Sequence, residues 1–361
     1  MNRVFRFLRN NMIATDSCYG GGITMTILRR LLSVVFVIMC FGIVGSISVK
    51  AEVLSGKCGD NLVWKLEDDT ITISGTGDMY DYNKGSTYDT DSPFLGLEYY
   101  EKVIIKNGVT SIGDNAFRGC MIQSVELSDT VKKIGEEAFL SSQLSGEVFI
   151  PDSVTTIKTG AFADTSMTTV SGCKNLTDIG EYVFAKCLGE EWDYGQLPCL
   201  ESINLSEGLK TIGKGMFYGQ NLGDIILPDS VEEIKEYAFY QSLGNNILFG
   251  KNSHLKSIGE YAFHGCTITV LELPDSLESI DNYAFSNCMF PRVEDNAVYY
   301  YDYNFELVTN DNLEYLGEGA FYECEGIKKI VLNDGLKSIP EKAFYNCVGL
   351  EEVRYLILWS R

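Results

Sequence analysis

Ile258-Gly259-Glu260-Tyr261-Ala262-Phe263-His264-Gly265-Cys266 is a phrase that the chain repeats. Nine further copies begin at Ile112, Ile134, Ile157, Ile179, Ile212, Ile234, Ile280, Leu316 and Ile339. Each starts on an apolar residue and reaches Ala, or in two copies Val183 and Met216, four positions on and Phe five positions on. The resulting ladder is Phe117, Phe139, Phe162, Phe184, Phe217, Phe239, Phe263, Phe285, Phe321 and Phe344, with steps of 22, 23, 22, 33, 22, 24, 22, 36 and 23 residues. A period in the low twenties held over ten copies specifies a solenoid built from one supersecondary unit per coil.

The unit can be read outward from the repeated Ile. Three residues upstream stands a second apolar residue, as at Val131, Val154, Val231, Leu255, Leu277 and Leu336, so both belong inside one coil. Further upstream run short alternating segments, among them Val125-Glu126-Leu127, Val148-Phe149-Ile150, Ile203-Asn204-Leu205, Ile225-Ile226-Leu227, Leu271-Glu272-Leu273 and Ile330-Val331-Leu332. Branched residues at period two predict a strand with one face inward. Pro151-Asp152-Ser153, Pro228-Asp229-Ser230 and Pro274-Asp275-Ser276 follow three of these strands and predict reversals, with Asp and Ser bonding nearby backbone amides. The Ile-to-Ala spacing of four suggests one short helical turn. Stacked at about 4.8 Å, the strands make a parallel sheet in which every Ile and Phe meets its equivalent above and below.

The run from Leu273 to Cys288, Leu-Pro-Asp-Ser-Leu-x-x-Ile-x-x-Tyr-Ala-Phe-x-x-Cys, resembles the BspA-like leucine-rich-repeat family of bacterial secreted and surface proteins. The expected fold is therefore an α/β leucine-rich-repeat-type solenoid of about ten repeats of 22–24 residues, with short parallel strands and helical turns, preceded by a small β-hairpin cap. The resemblance implies an extracellular interaction module, adhesin-like in some members toward host matrix proteins. It brings no catalytic residues and no cofactor.

Along the chain, residues 1–51 carry Arg3, Arg6, Arg9, Arg29, Arg30 and Lys50 against Asp16 alone. Within them, 25–51 reads as a secretory signal: Arg29-Arg30, then an apolar run from Leu31 to Val44, then Val49-Lys50-Ala51 as the cleavage site. A retained membrane anchor is the alternative, with contact to the membrane only through this segment. Residues 52–95 read as the cap, where Asn61-Leu62-Val63-Trp64-Lys65-Leu66 and Thr70-Ile71-Thr72-Ile73-Ser74 alternate around Glu67-Asp68-Asp69. The solenoid spans 96–349, and 350–361 reads as an incomplete repeat or tail. Insertions near 188–200 and 288–312 interrupt the period; they bring Trp192 and Tyr194 in the first and Tyr299, Tyr300 and Tyr301 in the second. Such loops commonly carry binding, although the same aromatics would also seal a widened coil.

Net charge is -21, and removing the first 51 residues with their +5 leaves -26 on the body. That acidity argues against nucleic acid, whose phosphates need a basic footprint. There are two histidines, His254 and His264, and His264 takes a variable position that reads as exposed filler. No His and Cys spacing suited to a metal and no glycine-rich phosphate loop is present. Of eleven cysteines, Cys120, Cys187, Cys266, Cys288, Cys324 and Cys347 share the position three residues after Phe. Shared register reads as small buried thiols, with bridges between neighbouring rungs such as Cys266 and Cys288 as the alternative.

Two stripes remain. The middle residues of the strands, Ile104, Glu126, Phe149, Asn204, Ile226, Leu248, Glu272, Glu306 and Val331, are expected to face outward. Tyr182, Tyr237, Tyr261 and Tyr283 form the second stripe, with lateral packing between coils as the plain reading. The functional expectation is a secreted or cell-surface, non-enzymatic module that binds an extracellular protein or glycan through Phe149, Ile226, Leu248, Glu272, Trp192, Tyr194, Tyr299, Tyr300 and Tyr301. Its rivals are a surface scaffold without a specific ligand and a glycan hydrolase using Glu190, Glu191 and Asp193.

Overall fold

The computed structural model describes residues 54–85, 90–97, 100–186, 200–242, 246–291 and 304–355, with the backbone of 292–294 and 297–299. The signal reading at 25–51, Cys187 and Cys199, the 190–194 acids and aromatics, Tyr300, Tyr301 and the tail from 356 lie outside the described residues, as does the side chain of Tyr299.

Three antiparallel strands open the described chain: β1 (Leu54–Gly59), β2 (Leu62–Glu67) and β3 (Thr70–Gly75). The tight β2–β3 reversal holds Asp68 at φ 52°. β3 then pairs in parallel with Lys102–Ile105, setting Ile71 opposite Val103 and Ile73 opposite Ile105. The cap thus passes its hydrogen-bonding edge directly to the first coil, which leaves that coil no bare sheet edge.

From there each coil runs strand, turn, strand, arc. The first strands carry the predicted alternation and pair in parallel register, Val103 with Val125, Val148 with Val170, Val170 with Ile203 and Ile225 with Ile247. The repeated Ile lies on a second strand of only two residues in most coils. It builds a separate ladder, Ile112-Ile134-Ile157-Ile179 and then Ile212-Ile234-Ile258-Ile280-Leu316. Parallel neighbours 22 to 24 residues apart require a crossover, and the arc supplies it.

The arc corrects the expectation of helical turns, because among the described residues there is no helix. Tyr237 and Gln241 both adopt left-handed backbone, at φ 59° and 53°. Two such residues four apart stop a helix from forming and turn every second amide along the stack. Tyr237, Phe239 and Gln241 donate to the carbonyls of Glu260, Ala262 and His264 in the next coil, at 3.0, 2.7 and 2.7 Å. The intervening Ala238, Tyr240 and Ser242 donate within their own coil to Lys235, Tyr237 and Phe239. A helix would direct all these amides to its own carbonyls and leave the neighbouring coil unbonded. A non-glycine residue in this conformation costs roughly 1–2 kcal/mol, which the intercoil bonds and ring contacts offset.

The arcs also continue where the second ladder breaks, between Ile179 and Ile212. Tyr182, Phe184 and Lys186 donate to Lys214, Met216 and Tyr218 at 2.8, 3.1 and 2.7 Å, across the 187–199 insertion. Close approach is built into the repeat, since a Cβ on Gly259 would stand 2.7 Å from the Glu236 nitrogen.

Inside the coils the phenylalanines form one column. Consecutive rings from Phe117 to Phe344 stack with centroids 5.0 to 5.9 Å apart. The column begins one rung earlier than the repeat phrase, at Phe94, which stacks on Phe117 at 4.7 Å and is met edge-on by Trp64 at 5.8 Å. All the rungs are buried except Phe344, which is half-buried, and Ile339 in the same coil is 49% exposed. Truncating an interior rung, Phe239→Ala, is expected to cost about 3–5 kcal/mol in chemical denaturation, from lost contacts and the cavity left behind. A change near zero would remove the column from the core.

Candidate interaction surface

The first strands leave two rows of side chains outside the sheet, one on each side of the inward residue. One row runs Glu147, Thr169, Ser202, Asp224, Asn246, Val270, and the other Phe149, Ser171, Asn204, Ile226, Leu248, Glu272. Ile226 stands directly beside Leu248, and Glu272 follows in the next coil. Phe149 lies in the same row, separated from Ile226 by Ser171 and Asn204. Ile226 is 69% exposed and Phe149 54%, whereas Leu248 is half-buried between its neighbours.

Two members of the expected stripe differ: Val331 keeps the expected row but is covered, and Glu306 falls in the other row. Val331 is only 7% exposed, in a strand paired on both sides, with Val308 and Arg354 as its direct neighbours. Glu306 belongs to the other outward row, paired with Lys329, and Val308 takes the position expected of it. The error is one of register, since Phe305-Glu306-Leu307 alternates in the opposite phase to Leu271-Glu272-Leu273 relative to the inward residue.

Polar ladders fix the rows. Asn246 Nδ2 donates to Asp224 Oδ1 at 2.7 Å, and its Oδ1 accepts the Val270 amide at 3.0 Å and the Thr269 hydroxyl. Ser171 Oγ donates to Glu147 Oε1 at 2.7 Å, and Lys102 pairs with Glu126. The turn serines act across coils rather than locally. Ser153, Ser230 and Ser276 donate to the carbonyls of Val131, Leu209 and Leu255 at 2.7, 2.7 and 2.8 Å. Sequence order hides these partners because they lie a full coil away.

The tyrosine stripe is lateral packing. Tyr237 stacks on Tyr261 at 5.6 Å and Tyr261 on Tyr283 at 5.2 Å, while Lys214 Nζ lies 5.8 Å from the Tyr237 ring. Beside it runs a second column, Tyr218-Tyr240-His264, with spacings of 4.9 and 4.7 Å. His264 is therefore a packed rung rather than exposed filler, and its Nδ1 lies 2.7 Å from Ser286 Oγ. Rings stacked face to face offer solvent only their edges.

The described cysteines are free. Those at the repeat position do more than fill space. Cys266, Cys288, Cys324 and Cys347 place Sγ 3.0 to 3.1 Å from the carbonyls of Phe239, Phe263, Phe285 and Phe321, one coil back. Ser242 Oγ makes the same bond to Phe217 at 2.7 Å. Burial pushes the Cys58 and Cys120 thiols up to about 12 and Cys173 to about 11, and holds Cys266 and Cys324 well above the ordinary range. Cys347, half-buried, is drawn downward by its hydrogen bond with Cys324. Among the described residues no group of three or more His, Cys, Asp or Glu could hold a metal ion, and no helix is long and apolar enough to cross a membrane.

This geometry defines a class: a parallel-strand repeat solenoid with one sheet face open along its outward rows. Comparison with family models matches residues 87–190, 194–292 and 292–356 to the BspA type leucine-rich repeat region, in six copies, and the chain belongs to that family. A solved leucine-rich repeat protein from Bacteroides ovatus has the same fold: it is 23% identical, with 83% of this chain and 76% of that chain covered, at TM-score 0.54. One from Eubacterium ventriosum is 17% identical over 84% of each chain, at TM-score 0.42. A leucine rich cell surface protein from Faecalibacterium prausnitzii is 19% identical over 85% of this chain and 96% of that one, at 0.37. Comparison with curated proteins finds no match.

Two predictions follow from these groups. Thiolate is the reactive form, so among the described cysteines of the native protein at about pH 8 Cys347 should be alkylated first, with Cys58, Cys120 and Cys266 labelled only after unfolding; labelling of Cys266 ahead of Cys347 by mass spectrometry contradicts the packing. Burial lowers the His264 pKa below its ordinary 6.5. The unfolded chain then takes that proton first, so the contribution is present above about pH 6.5 and lost as pH falls through that value toward the lower folded pKa. Between about pH 7 and 5 the wild type should lose more stability than His264→Phe in urea titrations, and parallel curves would contradict it.

Proposed function

We propose that the chain is an exported, non-enzymatic recognition module, secreted or held at the cell surface, that engages an extracellular protein or glycan in the manner of an adhesin. Export rests on the Arg29-Arg30, Leu31 to Val44 and Val49-Lys50-Ala51 signal pattern. Recognition rests on one observation above all: Ile226 is 69% exposed on the outward row, on a strand whose inward residues Ile225 and Leu227 are buried. A branched apolar residue held on a rigid sheet, with Leu248 directly beside it, is a surface suited to burial against a partner. An open row of a sheet favours a macromolecular ligand over a small substrate. The insertions near 188–200 and 288–312, which bring Trp192, Tyr194, Tyr299, Tyr300 and Tyr301, would extend the contact.

The test is saturable binding of the purified protein to arrays of extracellular proteins and glycans. Ile226→Asp with Leu248→Asp is expected to abolish a specific signal while leaving the thermal midpoint near wild type. Binding that survives both changes, or hydrolysis of a glycan in the panel, would overturn the reading.

A further inference from the structure

The charges around the apolar strip specify more about its occupant. From the third coil to the eighth, the two outward rows hold the carboxylates of Glu147, Asp224 and Glu272 and no Lys or Arg. All three are exposed, and they alternate along the face with the apolar Phe149, Ile226, Leu248 and Val270. Basic residues return to these rows only beyond the strip, at Lys102 on one side and at Lys329 and Arg354 on the other, and each is paired with a glutamate: Glu126, Glu306 and Glu352. The rows are thus neutralised at their ends and uncompensated in the middle.

Resting on the recognition reading above, we infer that the partner is a protein segment presenting Lys or Arg beside apolar side chains, seated across the first-strand face between Glu147 and Glu272. Five coil steps at about 4.8 Å span about 24 Å, the reach of roughly seven to eight extended residues. An ammonium or guanidinium group meets a carboxylate every few coils, and the aliphatic strip takes the side chains between. A glycan fits less well. Sugar stacking uses the flat face of an aromatic ring, and Phe149 is the one aromatic residue in the two rows, while the tyrosines of the arcs cover one another's faces. A second copy through the same face would set carboxylate against carboxylate, and an anionic membrane would be repelled likewise.

The experiment uses two labelled synthetic peptides of about eight residues, one alternating Lys and Leu and the other Glu and Leu, titrated into the purified protein at roughly physiological salt. The Lys-Leu peptide should bind saturably and the Glu-Leu peptide should not. Asp224→Lys with Glu272→Lys should weaken the first by about tenfold and admit the second, the loss expected of two partly screened ion pairs. Glu260→Lys with Glu341→Lys, which makes the same charge change on the arcs, should shift affinity by less than about twofold. Should the double reversal unfold the chain, Asp224→Asn with Glu272→Gln gives the same comparison. Equal weakening by both pairs would show attraction to net charge rather than to the face, and would overturn the inference. So would a ligand from the arrays whose binding is lost with Ile226→Asp and Leu248→Asp yet survives the charge changes, although that result would leave the recognition reading standing.

Discussion

Each arc gives every second amide to the coil above it, and the remaining architecture depends on that exchange. The strands alone would not hold the stack, since the second strand is two residues long in most coils and its ladder lapses between Ile179 and Ile212. The arc bonds from Tyr182, Phe184 and Lys186 cross that interval without interruption. Left-handed backbone at two positions per arc makes this possible, and it turns a crossover that would ordinarily be a self-satisfied helix into a third set of intercoil hydrogen bonds.

The arc bonds set the coil spacing, and the ring column follows from the spacing. Phe239, Phe263 and Phe285 lie 5.0 Å apart because their amides and the Ala carbonyls of the next coil already fix the distance. Three residues after Phe239, Phe263, Phe285, Phe321 and Phe344, a small donor bonds the Phe carbonyl of the coil behind, whether it is the thiol of Cys266 or the hydroxyl of Ser242. That shared task explains how Cys and Ser exchange at one register despite different polarity. At the amino end Trp64 meets Phe94 edge-on, and the strands of the cap continue the first sheet, so the column starts under cover.

Much of this could be read from residue order. The period, the Phe column, the first strands and their alternation were legible because each signal lies within a few residues and recurs ten times. The arc was misread as helical since Tyr237 and Gln241 do not announce left-handed backbone. The clue was present at the equivalent register, where Gly160, Gly215 and Gly319 stand in place of the tyrosines at φ 63°, 57° and 59°. Serine partners a coil away, the two-residue second strands and the place of Phe94 were not legible, because each depends on which coils become neighbours. Within the candidate face, Ile226, Leu248 and Glu272 were found from alternation alone, while Val331 and Glu306 show that alternation gives two outward rows without saying which one a neighbour covers.

Function on this scaffold belongs to whatever side chains the rows carry, because the framework is satisfied by its inward residues, arcs and turns. The most direct test of the account is residue-resolved hydrogen exchange across one interior arc. Amides of Tyr237, Phe239 and Gln241 should exchange only through global unfolding, at a rate shared with Phe263 and with the first-strand amides. Exchange of Phe239 as fast as a solvent-exposed turn would mean that the arcs do not join the coils, and the structural account would fail with them.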